Sequence, residues 1–301
     1  EIIAPAFTFV SSVNAFVLRG ARPVFADIRP DTLNIDEKQL ASLVTPRTRA
    51  IVVVHYAGVG CEMDAIMRLA SDRGIPVIED NAHGLFGSYS GRALGSFGRF
   101  ATESFHETKN ITCGEGGALT VNEQRDVERA EIIREKGTDR SRFFRGQVDK
   151  YGWADVGSSY LLSDLLAACL LAQLDKRELI QARRQAIWNA YASGLAGWAG
   201  AAGARLPVIP SHCEQSYHMF YLLLPSLEFR QRLIAHLKAA DILAVFHYLP
   251  LNRSVMARKI GAENACPVTE DVSDRLLRLP FYFDLGDHDQ RRVIDRITDF
   301  C

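Results

Sequence analysis

Two short runs rich in β-branched residues, "AIVVVH" and "IPVIED", flank a single helical period, and this strand–helix–strand repeat constrains the chain more than any other feature in it. The run from Ala50 to His55 is continuous and Val-rich, as expected of a strand buried on both faces. Between the runs, Met63, Ile66, Met67 and Ala70 recur at helical spacing, and Gly74 supplies the stop. Such a unit lays its two strands parallel, so their C-terminal ends open on one edge, where open α/β sheets bind ligands. Asp80 closes the second strand at that edge. The predicted fold class is therefore α/β, a mostly parallel sheet wrapped by helices.

The same logic extends along the chain. "FATESF" is expected to be a strand delivering Ser104, and "GALTVN" a strand leaving the glycine-rich turn "CGEGGA". A long helical stretch begins near Ser163, and the Gly/Ala-rich "GLAGWAGAAGARLP" after it is expected to be a linker. Beyond it, strand "HMFYLLL", helix "LEFRQRLIAHLKAA", strand "ILAVFHY" and a final helix "DHDQRRVIDRITDF" predict a second, smaller α/β unit. The expected division is a large domain over 1–185 and a small C-terminal domain over 186–301.

Charge and cysteine content narrow the function. With 35 Lys and Arg against 36 Asp and Glu, the net charge of -1 offers no basic field for nucleic acid or an anionic membrane, so small molecules and another protein chain are the expected partners. No apolar run approaches the roughly 18–20 residues needed to span a bilayer. The six cysteines, Cys61, Cys113, Cys169, Cys213, Cys266 and Cys301, form no CxxC pair, which argues against a zinc ribbon or disulfide scaffold and favours a reducing, cytoplasmic setting. His55, His218 and His247 lack HExxH or paired His/Cys spacing, so no metal site is expected.

The chemistry centres on Lys109, in "SFHETKN", and Asp80. A lysine near the C-terminal sheet edge with an aspartate on a neighbouring strand end suits pyridoxal phosphate: the amine forms an imine with the aldehyde, and a carboxylate at the ring nitrogen keeps it protonated. Spacing alone leaves open that Lys109 is a surface lysine and Asp80 a strand-end cap. Together, however, "SFHETKN", "GEGGA", "VIEDNAHG", "PAFTFVSSVNAFVLRGA" and "FHYLPL" resemble, in order and over essentially the whole chain, the DegT-type sugar-nucleotide aminotransferases, pyridoxal phosphate enzymes of the aspartate-aminotransferase fold (fold type I). The stretches "DIRPDTLNIDE", "VHYAGVGCEMD", "REKGTDRSRFFRGQVDKY" and "DVGSSYLLSDL" are most similar to the dTDP-4-amino-4,6-dideoxygalactose transaminases.

The resemblance implies that Lys109 is the catalytic, cofactor-binding lysine and the base that moves the proton between sugar carbon and cofactor. It implies that Asp80 pairs with the pyridine nitrogen, Phe9 stacks on the ring, Ser104 contacts the phosphate and His83 bonds near the ring oxygen, with Thr8 and Asn110 as weaker candidates. The implied reaction carries an amino group from glutamate to C4 of a dTDP-4-keto-6-deoxyhexose for cell-surface polysaccharide, in a homodimer. Amination at C3, a GDP- or UDP-linked sugar, and a non-catalytic dimeric relative are the alternatives. Several features depart from the family pattern. The usual phosphate-cradling turn would lie upstream of Glu1, so residues 1–301 alone are expected to expose apolar sheet surface and hold the cofactor weakly, as a fragment of a longer product or an impaired protein. Glu103 replaces an apolar residue, Leu161 an asparagine for which Ser158 or Ser159 could compensate, and Asn252 a histidine.

Overall fold

A computed structural model describes residues 1–300; Cys301 lies outside the described residues. Strands β1 (Ile2–Pro5), β2 (Pro23–Ala26), β3 (Ala50–Val54), β4 (Val77–Asp80), β5 (Ser88–Tyr89), β6 (Arg92–Ala93), β7 (Phe100–Ser104), β8 (Gly117–Val121), β9 (Cys213–Glu214), β10 (Tyr221–Leu223) and β11 (Leu276–Arg278) form three sheets. The largest runs β2-β1-β3-β4-β7-β8. Its first five strands are parallel, and β8 returns antiparallel to β7 with Ser104 opposite Gly117. This is the mostly parallel α/β sheet that the sequence predicts.

The period of two along the strands explains both covered faces. Ile3, Ile51 and Val53 enter one core with Met63, Ile66 and Ala70 of the helix Met63–Arg73. Ile2, Ala4, Ala50 and Val52 enter the other, with Val13 of the helix Ser11–Val17 and with Leu251, Ala257, Ala262 and Cys266 from far along the chain. Gly74 ends the Met63–Arg73 helix in the left-handed conformation, φ +63°, the role its position suggests.

Two expectations need correction. The long helical stretch is two helices, Asp164–Leu174 and Arg177–Ala202, and the second runs through most of the supposed linker. Ile187, Tyr191, Leu195 and Ala199 fall four apart on one stripe and are buried with Phe220, Leu222, Leu233, Leu277 and Val293. A Cβ at Gly194 would stand 3.0 Å from the Ile294 side chain, so the glycine there permits close helix packing rather than a loop. Nor is "ILAVFHY" a strand: only Val245 bridges to Arg278, while Leu243 and Phe246 face solvent. The helix Arg177–Ala202 continues across position 185, with Ile180 packed beside Phe105 and Ile111 and its later residues in the C-terminal core. Among the described residues, no helix is long and apolar enough to cross a membrane.

Candidate active site

Parallel strands that end on one edge bring distant residues together. Past β1 the chain carries Thr8 and Phe9 into the helix Ser11–Val17, β4 ends at Asp80, and β7 ends at Ser104. Thr8, Phe9, Asp80, His83, Ser104 and Lys109 all line one cleft of about 770 Å³, together with Ser12, Glu103, His218, His247, Tyr248 and Arg278. The sequence motifs thus converge in space.

Asp80 is held by its neighbours. Ser12 Oγ donates to Asp80 Oδ2 at 2.6 Å, and the Ala82 amide donates to Oδ1 at 3.1 Å. Since Ser12 spends its one proton on the carboxylate, Thr8 Oγ1 is the donor in the 2.7 Å contact with Ser12 Oγ. Behind Asp80, buried Glu79 accepts from the amides of Gly95, Phe97 and Gly98 and from His55 Nε2 at 2.9 Å. Burial alone would raise the Glu79 pKa, but His55 and these amides outweigh it and hold the group below its ordinary value. His55 therefore braces the sheet and is not part of the cleft lining.

Lys109 sits in the connection between β7 and β8, which is pinned by Phe105, Ile111 and Cys113 in a small core and by the Phe105 amide on Gly116 O at 2.8 Å. Burial lowers its pKa to about 8 against the opposing pull of the Asp80 charge, with Arg278 pushing the same way as burial. A sizeable fraction of this amine is consequently neutral near physiological pH.

Three histidines and a tyrosine close one wall. The His83 ring stacks on His218, centroids 4.2 Å apart and planes 18° apart, and lies 6.1 Å from His247. Burial first, and then the charges of Lys109 and Arg278, hold all three well below the ordinary histidine range, so they are neutral. Asn110 gives its Nδ2 to Ser216 O at 2.6 Å and Gln181 Oε1 at 3.2 Å, so its Oδ1 faces His218 Nδ1 as acceptor at 2.9 Å, and that nitrogen carries the ring proton. His83 Nε2 meets the Tyr248 hydroxyl at 3.4 Å, whereas buried His83 Nδ1 has no partner. The loop beneath is tight: Gly58, φ +86°, would place a Cβ 2.8 Å from His83 O and still nearer Ser216 Oγ, so only glycine fits. Phe9 is 57% exposed, its ring 6.2 Å from that of Tyr248.

The departures from the family pattern have separate fates. Ser158, Ser159 and Leu161 do not line the cleft. Asn252 is buried and structural, donating to Asn264 O and Glu270 Oε1. Glu103 accepts from Asn81 Nδ2 at 2.5 Å through Oε1, but its Oε2 and Asn81 Oδ1 are both buried without partners. Burial, with the charges of Asp80 and Glu79 adding to it, pushes the Glu103 carboxyl up to about 7. The folded protein then keeps a proton that the unfolded chain releases, so stability falls as pH rises from the unfolded value of 4.5 through about 7. Glu103→Gln, a neutral isostere that keeps an acceptor for Asn81 Nδ2, is expected to be more stable than the parent at pH 8 by ~2–3 kcal/mol. In urea unfolding the gain should shrink towards acid pH; a gain of the same size at all pH values would contradict this account.

Sequence reasoning missed Ser12, Tyr248 and Arg278. Ser12 carries a weak signal, a serine at helix spacing from Thr8, whereas Arg278 lies in the leucine-rich "LLRLPFY", where nothing marks it as a site residue. The cleft itself suits a pyridoxal phosphate: a held carboxylate, an amine of lowered basicity and an unpartnered ring nitrogen stand on one rim.

Comparison with known proteins agrees with this geometry. The description DegT/DnrJ/EryC1/StrS aminotransferase family matches residues 1–298. The uncharacterized protein MJ1066 of Methanocaldococcus jannaschii is 33% identical over 305 aligned positions, 99% of this chain and 78% of that protein. The aminotransferase TlmJ of Streptoalloteichus hindustanus superposes with a TM-score of 0.90 at 29% identity, covering 99% of this chain and 78% of the other. The PMP-form of Spr1654 from Streptococcus pneumoniae superposes with a TM-score of 0.91 at 26% identity, covering 100% and 81%; a PLP-form of the same protein matches as well. With the site residues gathered at the sheet edge and the family pattern running from one end of the chain to the other, the chain belongs to the DegT/DnrJ/EryC1/StrS aminotransferases, a family of pyridoxal phosphate-dependent sugar aminotransferases.

Proposed function

We propose that this aminotransferase moves an amino group from glutamate to C4 of a dTDP-4-keto-6-deoxyhexose, for cell-surface polysaccharide or related sugar synthesis. The observation that carries the reading is the pairing, across one cleft, of a half-buried Lys109 whose pKa is lowered to about 8 with a carboxylate, Asp80, oriented by Ser12 and Ala82. Bound pyridoxal phosphate supplies an aldehyde that captures amines and a ring that withdraws electrons from the neighbouring carbon. Asp80 would hold a proton at the ring nitrogen. Lys109 Nζ would take the proton from the donor's α-carbon and pass it to the bound cofactor, and in the second half-reaction would carry a proton the other way, from the cofactor to the sugar carbon that receives nitrogen. His83 Nδ1 is the free polar atom for the ring oxygen, Ser104 serves the phosphate, and Phe9 with Thr8 covers the open face.

The choice of a dTDP sugar and of C4 rests on the resemblance of "REKGTDRSRFFRGQVDKY" and "DVGSSYLLSDL" to that subgroup. The test is to load the protein with pyridoxal phosphate, follow loss of its visible colour with glutamate, and then supply dTDP-, GDP- and UDP-linked keto sugars. The expected product carries nitrogen at C4 of the dTDP sugar by NMR; nitrogen at C3, or preference for another nucleotide, would overturn this specificity.

A homodimer is part of the reading. The helix Asp164–Leu174, "DLLAACLLAQL", has no fully buried residue, and Leu165 and Leu171 are 81% and 61% exposed, with exposed Trp153 and Tyr160 close by in sequence. An apolar helix left this open calls for a covering surface, and a second copy supplies one. Replacing Leu165 and Leu171 together by glutamate is expected to convert the dimer to monomer in sedimentation; an unchanged dimer would place the interface elsewhere. The free thiols Cys61, Cys113, Cys169, Cys213 and Cys266 fit a cytoplasmic setting.

A further inference from the structure

Glu103 stands where the family pattern has an apolar residue, and it borders the cleft next to Ser104. The alternation along β7 puts its side chain on the face of Ala101, whose partner in the register of β4 is Glu79. Both carboxyls meet the turn at Gly95: Glu79 Oε2 accepts from the Gly95 amide at 2.8 Å, and a Cβ on Gly95 would stand 3.1 Å from Glu103 Oε1. Through Asn81 Nδ2, which donates to Oε1 at 2.5 Å, Glu103 is tied to the turn that carries Asp80, Ala82 and His83. The Asn81 amide fixes that turn to β7 as well, donating to Thr102 O at 2.9 Å.

The two carboxyls are provided for very differently. Glu79 has three backbone amides and His55 Nε2. Glu103 has one amide hydrogen from Asn81, and its Oε2 is buried with no partner. The surrounding elements bring it no positive charge: β4 presents Asp80 and Glu79, His55 is engaged by Glu79, β8 sets Ala118 opposite, and the turn from Gly95 to Gly98 has no titratable side chain. The charge of Lys109 is set against Asp80, not Glu103. Burial and the two neighbouring carboxylates therefore push Glu103 up to about 7. A carboxyl so placed keeps its proton until a cation arrives.

Building on the aminotransferase reading, we propose that Glu103 is a positioning residue behind Asp80 that releases its proton as the cofactor's protonated ring nitrogen docks and recovers it as the cofactor leaves. The O–H bond of the carboxyl breaks and the proton passes by way of the cleft to water, so the filled site carries one more negative charge than the empty one. A nearby cation favours the ionised carboxyl, so the carboxyl of a filled site holds its proton only to a lower pH than the 7 or so of the empty site. Cofactor affinity consequently climbs with pH up to about 7 and then levels off. The contribution of Lys109 lies higher, near 8, and is separable. An apolar residue at 103 has no proton to give, so this linkage belongs to the present chain rather than to the family pattern.

The probe is pyridoxine phosphate, which has the ring and the phosphate but no aldehyde, so Lys109 cannot capture it. Calorimetric titrations at about pH 6, in two buffers of different ionisation enthalpy, count the protons released on binding by the parent, Glu103→Gln and Glu103→Met. The parent is expected to release about half a proton or more beyond either variant, and its affinity to rise about 10-fold relative to Glu103→Gln between roughly pH 5.5 and 8. Protons from the probe itself are common to all three proteins and drop out of the difference. Equal proton release by the parent and Glu103→Gln would overturn the proposal while leaving the aminotransferase reading in place. So would a weakening in Glu103→Met that is the same at every pH with Glu103→Gln unchanged from the parent, which would leave Glu103 only its bond to Asn81. Failure of all three proteins to bind the probe and to turn yellow with pyridoxal phosphate would contradict the cofactor reading itself, and this linkage with it.

Discussion

Lys109→Ala is expected to lose amino transfer by about 10⁴-fold or more, with the fold intact. The size of the effect follows from the two tasks that fall on one atom: Nζ is the amine that binds the cofactor, and once released it is the base at the substrate carbon. No other lysine lines the cleft to take over either task. Removing an ammonium that burial already disfavours should not destabilise the protein. In the cofactor-free parent, the rate at which Lys109 captures pyridoxal phosphate should rise with pH through about 8, as the amine gives up its proton, and then level off. Single-turnover kinetics with circular dichroism on the variant check both halves, and a variant that aminates a keto sugar at near-parental rate would remove Lys109 from the mechanism.

Asp80→Asn is the second large effect. An amide keeps the shape and can still accept from Ser12 or the Ala82 amide, but it cannot hold a proton at the ring nitrogen by charge. The proton-abstraction step with glutamate is expected to slow by about 10²–10³-fold, the usual cost of losing one preorganised electrostatic partner, with a much smaller change in cofactor affinity. Rates and cofactor titration measured on the same sample separate the two; an unchanged rate would make Asp80 a structural residue of the β4 end.

The parts of this site that the sequence revealed are those whose signals are local. The strand–helix–strand unit from Ala50 to Asp80 is legible because its periods switch cleanly between two and helical spacing, and that places Asp80 at the ligand-binding edge. Lys109, Ser104 and His83 are legible through contiguous motifs. Gly194 to Ala202 misleads because its glycines suggest a loop, whereas its alanines favour a helix and packing against Ile294 and the C-terminal core holds it in one. "ILAVFHY" misleads in the opposite sense, since β-branched residues do not form a strand where only Val245 finds a bridge partner. Tyr248 and Arg278 reach the cleft from 165 and 195 positions beyond His83 by way of folding alone. No periodicity or spacing records such a long-range approach.

One attachment point, the lysine that holds the cofactor, decides the chemistry of this site. Incubating the protein with pyridoxal phosphate, reducing with borohydride and mapping the peptides by mass spectrometry reads that point without any assumption about the sugar. The predicted result is cofactor fixed to the peptide containing Lys109 and to no other, with the label lost in Lys109→Ala. Stoichiometric label on another lysine, such as Lys136 or Lys176, or no label at saturating cofactor, would contradict it.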